Sequence, residues 1–112
     1  MLTLAAGADG SIQADYPLLP GAHYSLYLVG HPGNADYGSP TAGEITVSQF
    51  NTDTENEYLP ILDGSGQAVT ATLPDSQGIA VNFIAHCNRF QLSVSGFTEG
   101  DGLKVSLLNI RL

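Results

Sequence analysis

Tryptophan is absent from the 112 residues, and cysteine and methionine occur once each. The lone Cys87 cannot close an internal disulfide, so the chain must fold without one, which suits a reducing compartment. Cations are nearly as scarce: Arg89, Lys104 and Arg111 are the only Lys or Arg, and nine carboxylates precede the first of them. The formal net charge is −8. Such a surface repels phosphate backbones and anionic lipid, which argues against nucleic-acid and membrane partners. No apolar run approaches the ~20 residues of a spanning helix, and no Asn-x-Ser/Thr sequon occurs. Met1–Gly10 has no positive n-region and its apolar run ends by Ala6, so export by a signal peptide is not expected and synthesis in a cytoplasm is.

What is present is a β pattern. The chain is 43% hydrophobic and only 12% charged, against about 25% charged in an average domain. Its length suits one domain. No window carries a helical stripe, whereas period-2 alternation dominates from residue 23 onward. Strands are expected at His23–Val29, Glu44–Phe50, Gln67–Leu73, Ile79–Ala85 and Arg89–Ser95. In the last of these Phe90, Leu92 and Val94 point inward. Turn residues separate them at Asp63-Gly64-Ser65-Gly66, Pro74–Gly78 and Gly100-Asp101-Gly102. Two runs carry bulk on both parities. In His23–Val29, Tyr24, Leu26 and Leu28 oppose Tyr27 and Val29. In the final run, Leu103, Val105 and Leu107 keep one parity and Leu108, Ile110 and Leu112 the other. Either a β-bulge near Leu107 and Leu108 repairs the phase, or the second half of the strand faces a neighbouring subunit. The expected fold is all-β: a single antiparallel β-sandwich or jelly-roll-like domain over residues 23–112. Residues 1–22 read as an extended N-terminal arm plus a first strand, because Pro17 and Pro20 forbid a long central strand there. The Pro- and Gly-rich segment 30–43 reads as a long functional loop.

Sites of chemistry are weakly represented. His86 and Cys87 are adjacent, so on a strand they would face opposite ways, and His23 and His31 lie too far apart along a strand to share an ion. Asp53, Glu55 and Glu57 begin like a calcium loop, but Tyr58 and Gly64 replace its Gly and Glu. No Gly-x-Ser-x-Gly elbow or phosphate-cradling glycine motif occurs. No catalytic residue, metal site or cofactor is therefore expected, and an enzyme is not. Tyr16, Tyr24, Tyr27, Tyr37 and Tyr58 suit either a core, an interface or a sugar-stacking platform; the lack of Trp weakens the last.

Arg89-Phe90-Gln91-Leu92-Ser93-Val94-Ser95-Gly96-Phe97-Thr98-Glu99-Gly100-Asp101-Gly102-Leu103-Lys104-Val105, with the preceding Gly78-Ile79-Ala80-Val81-Asn82-Phe83, has a strand–turn–strand cadence. Over residues 44–112 it resembles the closing half of small β-sandwich structural proteins of tailed-phage virions, of the capsid decoration or cement type or the fibre-base type. The resemblance implies a bacteriophage virion protein without catalytic activity that forms homo-oligomers, often trimers, and grips a major capsid or other virion protein. Sparse charge and unmatched apolar parity fit such a part. The expected contacts are the arm at Leu2–Ala14, with Leu2, Leu4 and Ile12, then Tyr16, then Tyr37 in the 30–43 loop, and finally Leu108, Ile110 and Leu112. A glycan- or ligand-binding module on a fibre or appendage, and a tail or connector component, are the alternatives.

Overall fold

The computed structural model describes residues 2–30, 36–53, 57–74 and 78–110. Among them are nine strands and no helix: β1 Leu2–Ala5, β2 Ile12–Pro17, β3 His23–Val29, β4 Gly43–Phe50, β5 Tyr58–Pro60, β6 Thr70–Leu73, β7 Gly78–Ile84, β8 Arg89–Ser95 and β9 Gly102–Ile110. They form two antiparallel sheets. One runs β1-β9-β3-β7; the other runs β2-β8-β4-β5, with β6 also on β4. β5 and β6 take successive stretches of β4, β5 at Ser48–Phe50 and β6 at Gly43–Thr46. Between them residues 62–69 make a hairpin excursion, closed by the Leu62–Ala68 bridge and by the Val69 N–H donating to the Ile61 carbonyl at 2.8 Å. Taking β5 and β6 as one interrupted strand, the two sheets follow the order of a jelly roll, and every connection except that from β4 to β5 crosses between layers.

Alternation drives the packing. Tyr24, Leu26 and Leu28 of β3, Ile79 and Phe83 of β7, and Leu103 and Val105 of β9 enter the core from one sheet. Ile45 and Val47 of β4 and Phe90, Leu92 and Val94 of β8 meet them from the other. Among the described residues the buried side-chain polar atoms all have hydrogen-bond partners. Gln49 accepts the His86 and Cys87 N–H groups at 2.8 and 3.2 Å, and Asp101 accepts the Thr98 N–H at 2.9 Å. At the β1–β2 corner Gly10 has φ +77° and lies against the Phe97 carbonyl, where a Cβ would collide; only glycine meets both demands.

Two expectations need correction, and a third falls partly outside the described residues. The described part of segment 1–22 is not a free arm, because β1 is laddered to β9 and β2 to β8. Both are edge strands, the place where Pro17 costs no ladder bond. There is no bulge in β9: its pairing with β3 runs unbroken from His23–Ile110 to Val29–Lys104. Segment 30–43 falls partly outside the described residues, and its described part is anchored: the Gly38 N–H donates to the Gly100 carbonyl, and the Gly38 carbonyl accepts from Gly102.

Candidate interaction surface

An unbroken β9 forces its two apolar parities onto opposite faces. Leu103, Val105 and Leu107 point between the sheets. Leu108 and Ile110 point outward, opposite Ser25 and His23 of β3. On the other side of β3, Ile84 lies opposite His23, Asn82 opposite Ser25 and Ala80 opposite Tyr27. Cross-strand neighbours share a face, so Tyr27, Val29, Ala80, Ile84, Leu108 and Ile110 form one outer surface together with His23, Ser25, Asn82, Ser106 and Lys104. Tyr27 is 43% exposed, Ile84 45% and Leu108 60%. The unmatched parities of β3 and β9, about eighty residues apart in sequence, thus have one geometric cause.

Charge sharpens the contrast between the faces. None of the eleven Asp or Glu lies in β1, β3, β7 or β9, and Lys104 is the sole charged residue of those strands. The outer face of the other sheet is polar, with Glu44, Thr46, Ser48, Thr70, Thr72, Gln91, Ser93 and Asp15. Its aromatic exception is Phe50, buried beneath Tyr58 at a ring distance of 5.0 Å.

Where the sandwich opens beside β1 and β2, a cleft of about 430 Å³ is lined by Leu2, Tyr16, Pro17, Tyr24 and Val105 through Leu108. Tyr16 stacks on Phe90 at 6.1 Å, and burial pushes its phenol pKa up. The Tyr24 hydroxyl accepts the Leu19 N–H at 2.7 Å and holds the ring in place. A second cleft of about 320 Å³, between Pro60, Leu62, Phe83 and Ile84, opens on the opposite side.

The expected contact residues separate into groups. Leu2, Tyr16 and Leu108 come together at the first cleft, and Ile110 lies beside Leu108 on the outer face. Ile12 is buried in the core and therefore offers no contact surface, while Leu4 packs against the core partly buried; both have the inward parity of their strands. Tyr37 is half-buried and does not line the cleft. Leu112 lies outside the described residues. Tyr24, Leu107 and Ile84 were not among the expected contacts. Their inward or edge positions depend on which strands become neighbours, which alternation within one strand cannot reveal.

Other candidate chemistry resolves into structure. Cys87 is buried, which pushes its thiol pKa up, and His86 is exposed. Among the described residues no three His, Cys, Asp or Glu side chains gather closely enough to hold a metal. Asp63 caps its own turn, accepting from Ser65 N–H, Ser65 Oγ and Gln67 N–H. Those bonds, the hydroxyl's foremost, hold its pKa below the ordinary value. Tyr16 and Tyr58 lie on opposite faces of their sheet and cannot line one sugar platform. No protein-family model matches the chain, and no curated protein sequence is significantly similar to it.

Proposed function

We propose that this chain is a non-catalytic structural protein of a bacteriophage virion that decorates or cements the capsid. It is made in the host cytoplasm and incorporated into the particle. The outer face of β3, β7 and β9 docks across capsid subunits, and copies associate as a homo-oligomer, a trimer in the first instance. Binding only the assembled lattice stabilises that lattice by mass action. The reading rests above all on the carboxylate-free apolar face carrying Tyr27, Ile84, Leu108 and Ile110 in a chain of net charge −8. A monomeric sandwich gains nothing by exposing that surface, whereas interface cores are depleted in charge and rich in such side chains. The sequence resemblance points the same way.

Light scattering of the purified chain tests the oligomer, and thermal melts of capsids from the encoding phage, with and without added chain, test the docking. A trimer that raises the capsid melting temperature is expected. A strict monomer that leaves the melt unchanged refutes the proposal. A tail or connector role would use the same face, and localisation in the native particle by electron microscopy separates the two.

A further inference from the structure

An Asp-Gly pair is open to attack by the main chain on its own side chain, because glycine brings no Cβ to crowd a five-membered ring and its backbone turns freely. Three such pairs occur: Asp9-Gly10, Asp63-Gly64 and Asp101-Gly102. The first two extend to the same tripeptide, Asp-Gly-Ser, and they are capped alike. Asp9 Oδ1 accepts the Ser11 N–H at 3.0 Å and the Ser11 hydroxyl at 2.7 Å. Asp63 Oδ1 accepts the Ser65 N–H at 2.8 Å and the Ser65 hydroxyl at 2.7 Å, and adds the Gln67 N–H at 3.0 Å. Both carboxyls have their pKa lowered, the serine hydroxyl first among the causes. Ionisation therefore does not distinguish them.

The attacking nitrogen distinguishes all three. Gly10 is buried, its N–H donates to the Gly7 carbonyl at 3.0 Å, its φ is +77°, and it lies against the Phe97 carbonyl. The Gly102 N–H donates to the Gly38 carbonyl at 2.9 Å, and Asp101 is itself buried, with Oδ2 accepting the Thr98 N–H. Gly64 is exposed, nothing among the described residues accepts its N–H, and a Cβ placed there would meet no atom within 4 Å. Attack at residue 9 or 101 first requires a main-chain bond to break. One such bond holds the reactive conformation down by about tenfold, and the opening of packed structure adds to that. At residue 63 neither obstacle exists.

We propose that Asp63-Gly64 is the site at which this chain isomerises spontaneously to isoaspartate. The Gly64 nitrogen bonds to Cγ of Asp63 and gives up its proton, and one carboxyl oxygen leaves as water, closing a succinimide ring. The bonds of the cap all fall on Oδ1, where they hold the charge that develops during attack and leave Oδ2 to depart. Water then adds to one of the two ring carbonyls. Breaking the bond from nitrogen to Cγ restores aspartate. Breaking the bond from nitrogen to the α-carbonyl carbon leaves the chain running through the side chain. One water is lost and one regained, and nothing is oxidised or reduced. The isomer lengthens the main chain by a methylene between residues 63 and 64 and takes Oδ1 out of the cap. The Ser65 and Gln67 N–H groups lose their acceptor, and the bond of 2.9 Å from the Asp63 N–H to the Gln67 carbonyl is displaced. The modification thus loosens the excursion at residues 62–69, and it does not depend on the virion reading.

The test ages the whole chain at neutral pH in H₂¹⁸O, with and without urea. Samples are digested with chymotrypsin in ordinary water, and the aspartyl and isoaspartyl forms of the peptides holding residues 9, 63 and 101 are separated and weighed. In the folded chain isoaspartate should form at residue 63 at least about tenfold faster than at either other site, and the isomerised peptide should carry heavy oxygen from the water. In urea residues 9 and 63, alike in sequence, should isomerise at similar rates. Gly64→Ala fits the open space at a φ outside the left-handed region; it should fold and slow the reaction at residue 63. Isomerisation at residue 9 or 101 as fast as at 63 in the folded chain, no isoaspartate at 63 while the urea sample forms it, or a preference for 63 that persists in urea each overturn the proposal. So do isoaspartate without heavy oxygen and an unchanged rate in a folded Gly64→Ala variant. Should that variant not fold, the wild-type comparison decides.

Discussion

Replacing Leu103 and Leu108 separately with alanine tests the register of β9, on which both surfaces depend. Leu103 is 0% exposed, and deleting a fully buried leucine costs about 2–5 kcal/mol. Leu108 is 60% exposed, so only about two-fifths of its burial energy is at stake, roughly 1 kcal/mol or less. Against a total stability of about 5–15 kcal/mol, Leu108→Ala should remain fully folded. At about 4 °C per kcal/mol for a domain of this size, the melting temperature should fall by roughly 8–20 °C for Leu103→Ala and by no more than about 4 °C for Leu108→Ala. Urea unfolding at unchanged m-value provides the comparison. Were Leu108→Ala as costly as Leu103→Ala in the isolated monomer, Leu108 would lie inside, β9 would be bulged, and the outer apolar face would lose its centre. Leu108→Asp then separates fold from assembly: it should leave a folded chain that neither oligomerises nor raises a capsid melting temperature.

Gln49→Leu should destabilise by about 2–4 kcal/mol in urea, because it orphans the N–H groups of His86 and Cys87; a loss under about 0.5 kcal/mol would mean that water replaces the amide. Cys87 is buried and should react with a disulfide reagent at least about a thousandfold more slowly than a free thiol, its rate following the unfolded population across a urea series; rapid labelling of the native chain would contradict its burial. Asp63 is held below its ordinary pKa near 3.8 by the Ser65 hydroxyl and the Ser65 and Gln67 N–H groups. A depressed carboxylate contributes stability above its unfolded pKa and loses it as pH falls through the folded one. The amide resonances of Ser65 and Gln67 should therefore titrate with a midpoint below 3.8, and a midpoint above it would contradict the capped turn.

Much of the sandwich is legible in the chain because alternation within a strand is a local signal. His23–Val29 and Arg89–Ser95 coincide with β3 and β8, and the inward set of β8, Phe90, Leu92 and Val94, is buried in the core. β5 is not legible: Tyr58-Leu59-Pro60 is three residues long, exposed throughout and ends in proline, so it is a strand only because β4 offers it an edge. The arm expected at 1–22 illustrates the same limit. Pro17 and Pro20 exclude a central strand but cannot distinguish an edge strand from a free tail. The contact residues divide along this line. Leu108 and Ile110 stand out by parity alone, while the cleft walls Tyr24 and Leu107 become neighbours of Tyr16 only through sheet order.

The size of the outer face bears on how it would be used. Three strands at about 4.8 Å spacing, each about seven residues long at about 3.3 Å rise, give a footprint of roughly 330 Å². A stable interface needs about 800 Å² per partner, so this face alone supports only a weak contact. Repetition in an oligomer multiplies a weak contact without enlarging it, provided all copies reach their sites at once. The acidic residues fit such an arrangement. Copies of a chain at −8 repel one another wherever carboxylates face each other, and the sheet that carries none is the surface on which that cost is lowest. Placing a glutamate at Tyr27, in the centre of that sheet, should therefore weaken association more than the same change at Ser93 on the polar sheet, and should do so less at high salt, where the repulsion is screened. Equal effects at the two positions, measured by sedimentation at low and high salt, would show that charge segregation plays no part in assembly.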